Sequence, residues 1–325
     1  MNDASADALE QALDAAPPGP IKRGNAPPDL VVRPFPLQLI RYAAEEWLAI
    51  AVLAWAAATA PLLAYPLFGL LLAGRYHALG VVLHDAAHLP LPGGRKSLSL
   101  RVVELLAGYP VASTVDALRF HHLRHHRDSG MASDPYFKPA LEHSTAARFL
   151  AWARGAILLP FWTVRGPFGA LAALVPSLRG FYARVFLQDR SGDLEVGSHP
   201  EVIRCAQEEI GQCLFFIGVV AAASVWPRFV LLGYVIPAVA AGLLASYRLL
   251  WEHNFQPCTD RQIETLIAST RDHHTGLVNK LFLAPRNVGY HLVHHLHPQA
   301  GISSLPALYA WYRRTYPEKY PRAHE

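Results

Sequence analysis

The stretch NVGYHLVHHLHP, residues 287–298, carries four histidines within seven positions. At helical pitch, His291, His294 and His295 stand at i, i+3 and i+4, so a helix here presents all three from one face. His297 directly precedes Pro298, and a residue before proline is steered away from helical geometry. We therefore expect His297 to point away from the other three. A single cluster of this kind is equally compatible with a polar surface patch, so a metal site requires partner histidines elsewhere in the chain.

The composition favours a membrane protein. The chain has 325 residues, of which 52% are hydrophobic and only 17% charged, an unusually low charged share for a soluble protein. The net charge of +4 comes from dispersed basic residues, which argues against nucleic-acid binding. The 3 cysteines form no CxxC motif, so neither a disulfide framework nor a thiolate metal site is indicated. Metal chemistry would have to come from the 17 histidines.

Two long apolar stretches predict the fold. Arg75 is the only Lys, Arg, Asp or Glu between residues 47 and 83, and as one helix this stretch would run about 55 Å, far beyond the roughly 30 Å of a bilayer core. Prolines at 61 and 66 favour two crossings, 46–61 and 63–83. A second apolar stretch, interrupted by WPRF at 226–229, favours crossings at 208–226 and 229–250. We therefore predict an all-α integral membrane protein with four transmembrane helices in two hairpins (46–83 and 208–250), rather than a soluble α-protein with buried core helices.

Two hairpins return the chain to one face, where the sequence predicts a largely helical, histidine-rich cap of residues 84–206 plus 251–320. Arginines and lysines near the spans concentrate on this face, which the positive-inside rule makes cytoplasmic together with both termini. Residues 143–186 mix apolar residues with arginine and favour interfacial helices. Residues 1–35 are predicted to be a disordered tail with a short helix at 6–15, and residues 36–320 a single domain.

Further histidine clusters lie on the same predicted face. HDAAH places His84 and His88 at i and i+4 where the second predicted span ends, and HHLRHH (121–126) repeats the i, i+3, i+4 spacing at His122, His125 and His126. His253 follows the fourth predicted span. Imidazole is the commonest protein metal ligand, and this number exceeds what one ion binds, so two metal ions are predicted. Ligand type alone leaves Fe, Cu, Zn and Ni open.

HDAAH, HHLRHH and HLVHH resemble the HxxxH, HxxHH and HxxHH histidine boxes of the membrane fatty acid desaturase family, over residues from about 60 to 312. RLLWEH and the text around HLVHH extend the resemblance. It implies a non-haem di-iron centre bound by His84, His88, His122, His125, His126, His291, His294 and His295, with His253 as a looser match. HHLRHH also permits His121 in place of His122, but Arg119, three positions before His122, favours His122.

The resemblance implies an oxidoreductase that uses O2 as co-substrate and removes two hydrogens from adjacent carbons of a lipid or acyl chain. LPGG at 91–94 lacks the histidine of the HPGG haem motif, so electrons are expected from a separate ferredoxin-, rubredoxin- or cytochrome-type protein. The boxes are equally found in hydroxylases and ketolases of lipids, alkanes or carotenoids, which is the first alternative. A membrane metal-binding or transport protein is the second, although its polar residues would be expected along a path through the bilayer.

Several other polar residues lie beside the proposed ligands. Asp85, Glu252 and Asn287 could orient imidazoles, with helix capping or surface solvation as the equal alternative. His273 and His274 are expected beside the site or on the surface, and His77 is expected to be a packed histidine. No conventional nucleophile or catalytic base is indicated. The remaining histidines are expected to be ordinary: His143, His199, His297 and His324.

Overall fold

The computed structural model describes residues 20–273 and 276–323, and within these ranges the chain is helical, with no strand beyond one isolated bridge between His253 and Thr270. The α-helices are α1 Pro36–Thr59, α2 Tyr65–Ala87, α3 Leu98–Val103, α4 Val115–Asp128, α5 Ala140–His143, α6 Thr145–Ala153, α7 Leu158–Leu174, α8 Arg179–Val185, α9 Pro200–Val225, α10 Pro227–Val230, α11 Ile236–Glu252, α12 Ile263–Ser269, α13 Gly276–Val278, α14 His291–Leu296 and α15 Leu305–Thr315. The predicted all-α class is therefore confirmed.

Among the described residues, four helical segments are long and apolar enough to cross a membrane: Leu62–Ala87, Thr145–Leu174, Pro200–Val225 and Pro227–Glu252. Three of them coincide with predicted crossings. The predicted crossing 46–61 overlaps the second half of α1, which ends at Thr59. This helix is not among the four segments, because it begins at Pro36 and also carries Glu45 and Glu46. Thr145–Leu174, predicted as interfacial, is the additional candidate. The pairing of the spans into hairpins stays a prediction.

Charge within the apolar helices is compensated. Arg75 of α2 pairs with the buried carboxylate of Glu46 on α1 at 3.0 Å and donates to the Leu281 carbonyl at 2.8 Å. Arg286 binds the same Glu46 carboxylate from the segment that precedes α14. A buried carboxylate needs such partners because burial without them costs several kcal/mol. Glu46 therefore ties α1, α2 and the segment before α14 together.

The N-terminal segment differs from the predicted tail. Residues 1–19, including the predicted helix at 6–15, lie outside the described residues, but residues 20–35 are ordered and pack on the C-terminal part of the chain. Ile21 and Leu30 are buried in a cluster with Leu292 and Trp311. The Val32 carbonyl accepts a hydrogen bond from the Gly301 amide at 2.9 Å. Residues 20–35 therefore pack on the C-terminal part of the chain where the sequence predicts a disordered tail, because their few apolar residues find a preformed surface that local composition does not reveal.

This packing predicts a stability effect. Leu30 is only 6% exposed, and replacing a buried leucine with alanine typically costs about 2–5 kcal/mol. Leu30→Ala is expected to lower the free energy of unfolding by that amount, measured by denaturant or thermal unfolding in detergent. The exposed neighbour Lys22 supplies the control, because Lys22→Ala should leave stability unchanged. Equal stability of the two variants would contradict the packing.

Candidate metal centre

Four parts of the chain bring nine histidines together: the end of α2, helix α4, the residue after α11 and helix α14. Their ring nitrogens form two adjacent groups, and within each group the ligand atoms lie within 4.8 Å of one another. Group A consists of His84, His88, His122, His126 and His294. Group B consists of His125, His253, His291 and His295. These are the nine histidines that the sequence and the resemblance single out.

Helical pitch explains how the histidine boxes on α4 and α14 divide between the groups, whereas both histidines of the first box, His84 and His88, enter group A. On α4, His122 and His126 are one turn apart and enter group A, whereas His125 enters group B. On α14 the pattern is reversed: His291 and His295 enter group B and His294 enters group A. Neighbouring positions on a helix differ by about 100° in direction, so adjacent histidines face different groups.

Ring nitrogens within each group lie at the separation expected around one ion. In group A the Nε2 atoms of His122 and His88 are 3.0 Å apart, and those of His126 and His122 are 2.9 Å apart. In group B the Nε2 atoms of His291 and His253 are 3.0 Å apart, and those of His295 and His291 are 3.1 Å apart. Two nitrogens bound at right angles to one ion, each at about 2.1 Å, would be about 3.0 Å apart.

Unpartnered nitrogens and low proton affinity also fit a metal site. Both ring nitrogens of His84 and of His294 are buried without a hydrogen-bond partner among the described residues, which is costly for polar atoms unless a ligand satisfies them. Burial, assisted by the neighbouring imidazoles, lowers well below 6.5 the pKa values of His122, His126, His291, His294 and His295. These side chains are neutral at physiological pH, and neutral imidazole is the form that binds a metal ion.

The three residues expected to orient imidazoles have different roles. Glu252 lies beside group B: its Oε2 is 3.5 Å from Nδ1 of His291, and its Oε1 accepts a hydrogen bond from His273 at 3.1 Å. Asp85 and Asn287 both bind the peptide of Ile302 instead. The Asp85 carboxylate accepts from the Ile302 amide at 3.3 Å, and the Asn287 amide donates to the Ile302 carbonyl at 3.2 Å.

Two aspartates that the sequence analysis did not consider support the histidines directly. Asp134 accepts a hydrogen bond from Nδ1 of His125 at 2.9 Å, which leaves Nε2 of His125 directed at group B, without a partner among the residues that the structure describes. Asp272 accepts from the backbone amides of Leu292 and Val293 at 2.8 and 3.4 Å, at the start of α14, and from the Tyr320 hydroxyl at 2.6 Å. Asp272 thereby fixes the helix that carries three of the histidines. Neither aspartate adjoins a histidine box in sequence, so spacing gave no signal for it.

The other histidines that the structure describes lie outside both groups. His121 contacts the Tyr136 hydroxyl through Nδ1 at 2.7 Å, so His122, not His121, is the α4 residue that joins group A. His297 is buried against the Tyr312 hydroxyl at 2.7 Å and points away from the groups, as expected. His77 contacts the Phe282 carbonyl through Nδ1 at 2.7 Å. His143 and His199 lie beside Glu142 and Asp193 at the surface, and His274 and His324 lie outside the described residues.

The contact between Asp134 and His125 predicts an effect on metal affinity. A carboxylate that holds a ligand imidazole typically contributes 10–100-fold, roughly, to metal affinity. Asp134→Asn is expected to weaken metal binding by that factor, because the amide is a weaker acceptor for the Nδ1–H of His125. The metal affinity of the variant is measured by competition with a chelator, followed by metal analysis. Asp193→Asn is the matched control, because Asp193 is a half-buried aspartate in the loop before α9 that lies beside His199, outside both groups. Equal metal retention in both variants would contradict the role of Asp134.

Comparison with known proteins agrees with this geometry. No curated protein matches the chain significantly. The family model "Fatty acid desaturase" matches residues 60–325, which include all nine histidines and both supporting aspartates. Because the match covers most of the sequence, this chain belongs to the fatty acid desaturase family.

Proposed function

We propose that the chain is a membrane-bound, O2-dependent fatty acyl desaturase that introduces a C=C bond with a histidine-ligated di-iron centre. The family and the two histidine groups support an oxidoreductase of this kind. The observation that carries the choice of substrate is a cavity of about 200 Å³ that begins beside the histidines. It lies between α2, the N-terminal half of α7 and α11, and its lining is mostly apolar.

The cavity and group A share elements. Gly80 and Leu83 line the cavity, and His84 follows on the same helix. His121 lines the cavity as well, and His122 belongs to group A. An apolar chain in this cavity would therefore place a segment of its length next to the proposed iron ligands.

The cavity wall carries one buried charge, and it is neutralised. Arg165 pairs with Glu209 at 2.6 Å, and both side chains are at most 1% exposed. Tyr182 donates to the same carboxylate at 2.9 Å. Because the two charges of the ion pair cancel, the wall carries no net charge that would attract a charged headgroup strongly. The proposed role of the cavity wall is to hold an alkyl chain and to exclude water.

The nine histidines would hold two irons, with Asp134 orienting His125 through a hydrogen bond and Glu252 placing a carboxylate beside His291. Bound iron would supply the O2-dependent oxidation that removes hydrogen from two adjacent carbons, a reaction that acid–base side chains cannot perform. The protein's part is to fix the ligands, align the chain and keep water out. Electrons would come from a separate donor protein.

We further propose that the histidine site and both termini lie on the cytoplasmic side, as the distribution of basic residues favours. His125 and His253 have ring centroids 4.8 Å apart, so the chain between them must cross the membrane an even number of times. If Pro200–Val225 and Pro227–Glu252 both cross, Thr145–Leu174 does not cross completely. This parity supports an interfacial or re-entrant position for residues 145–174, and a reporter fused after Glu325 would test the sidedness.

The central experiment is expression of the intact chain in a host without desaturases, followed by mass spectrometry of its lipids. We expect acyl chains lighter by two hydrogens and about two irons per purified chain. Gain of an oxygen atom instead would identify a hydroxylase or ketolase. A reproducible single zinc with no iron would exclude the di-iron reading.

The cavity makes a separate prediction. A Cβ added at Gly80 would meet no atom within 4 Å, so a larger side chain here projects into free space of the cavity rather than into the backbone. Gly80→Leu is expected to lower desaturation by about tenfold or more, through the loss of space for the substrate, while iron content is kept. Gly218→Leu is the matched control, since Gly218 also has open space and lies on α9, away from the cavity. Full activity of Gly80→Leu would exclude this cavity as the substrate site.

A further inference from the structure

A surface pit reaches one of the proposed iron ligands. His126 contributes to its lining, and Nε2 of the same imidazole lies 2.9 Å from Nε2 of His122 inside group A. A single side chain therefore connects the pit with group A. The other residues that line the pit are Arg23, Arg127, Ser129, Asp260, Arg261, Gln262, Thr265 and Leu266.

The rim of the pit is basic, and its arginines are held in place. Arg127 and Arg261 both bind Asp128, at 2.6 and 2.7 Å. The Asp128 carboxylate is only 1% exposed, whereas each arginine side chain is 59% exposed, so the buried acid anchors two cations that still face solvent. Arg23 adds a third exposed cation. Asp260 is the exposed acid among the described residues that line the pit. Its carboxylate accepts hydrogen bonds from the backbone N–H of Gln262 and from the Thr265 hydroxyl.

The surroundings of the pit are suited to an aqueous partner rather than to lipid. Exposed large hydrophobic side chains are frequent on the apolar helices, as at Leu214 and Leu231. In the part of the chain that the structure describes, none occurs among the segments that line the pit, residues 22–24, 125–130 and 259–267. A surface that contacts the bilayer core would carry such side chains.

We propose that this basic pit is the docking surface for a small acidic electron-carrier protein, which passes electrons to group A through the imidazole of His126. The inference rests on the proposed function, because it assigns the entry point for the electrons of that reaction. Conversion of –CH2–CH2– and O2 into –CH=CH– and two waters requires two electrons and two protons from outside. A one-electron carrier must therefore dock twice in each cycle. Clustered positive charge steers an acidic partner and sets its orientation.

The test uses the full-length, iron-loaded protein in lipid nanodiscs with three acidic donors in turn: a [2Fe–2S] ferredoxin, a rubredoxin and a cytochrome b5, each with its reductase. We expect at least one of them to support turnover, with a rate that falls as salt rises from about 0.05 to 0.3 M, since screening weakens steering over this range. The double variant Arg23→Glu/Arg261→Gln should raise the KM for that donor about tenfold. The double variant retains the Arg127–Asp128 ion pair, so the buried Asp128 carboxylate keeps an arginine partner. The kcat at saturating donor should change by less than about twofold.

Two controls separate this inference from the proposed function. Arg184→Glu changes an exposed arginine of α8 and should leave the KM for the donor unchanged. Reduction of the iron by dithionite with a small mediator bypasses docking and should proceed equally in wild type and double variant. If dithionite and O2 give no desaturated product even in the wild type, the proposed function fails; if they do, only the docking surface is under test.

The docking surface is overturned if the double variant keeps the wild-type KM, or if Arg184→Glu raises it equally. It is also overturned if the wild type accepts electrons from dithionite but from none of the three proteins. If activity instead depends on the phosphatidylglycerol content of the nanodisc, and the double variant loses that dependence with an unchanged KM, the pit binds an anionic lipid headgroup and the inference is wrong.

Discussion

His294→Ala is expected to abolish activity and to remove metal from group A while the protein still inserts into membranes. The His294 ring centroid lies 4.6 Å from that of His84 and 4.6 Å from that of His126, and neither of its ring nitrogens has a protein partner among the described residues. Loss of a residue that only supports a ligand costs about 10–100-fold, so loss of a ligand should cost at least a hundredfold. Product formation and iron per chain are the measurements.

His297 provides the matched comparison, three residues further along. It is buried, but it contacts Tyr312 rather than either group. His297→Ala should therefore keep its iron and lower the free energy of unfolding by about 1–3 kcal/mol, because the buried tyrosine hydroxyl loses its partner. If both variants lose iron to the same extent, or both keep full activity, the assignment of His294 as a ligand is wrong.

His253→Ala is expected to lower iron from about two to about one per chain and to reduce activity at least a hundredfold. His253 is the least regular of the nine histidines, since it belongs to no box. It follows α11 in extended conformation, where it pairs with Thr270 in a short bridge, and its Nε2 lies 3.0 Å from that of His291. Group B has only four histidines, so it tolerates the loss of one less well than group A.

Asn254→Ala is the control for this variant, because its side chain turns to the Ala268 carbonyl and Gln256 and belongs to neither group. It should keep both irons. If His253→Ala also retains two irons and full turnover, three histidines suffice in group B and His253 has a different role.

Sequence reasoning predicted most of the fold because the relevant signals are local. Apolar stretches of about 20 residues are sufficient to predict a membrane span, and three of the candidate spans lie where they were predicted. The helix that contains the first predicted crossing is not among the candidate spans, because Glu45 and Glu46 belong to it. The ordered residues 20–35 were missed because their burial depends on a surface formed almost 300 residues later, around Trp311.

The sequence by itself determined which nine histidines are candidates, because i, i+3, i+4 spacing is a property of one helix and needs no knowledge of its neighbours. Only the tertiary structure decided how they divide. The second and third boxes each contribute to both groups, and whether His125 meets His84 or His253 depends on how α4 packs between α2 and the segment after α11. Only the tertiary structure likewise decided which acidic residues support the ligands. Asp85 adjoins a ligand in sequence but binds the backbone of Ile302, whereas Asp272 lies some 20 residues before α14 and accepts hydrogen bonds from its first turn. A carboxylate forms hydrogen bonds with the groups that the fold brings within about 3 Å of it, and separation along the chain does not determine that distance.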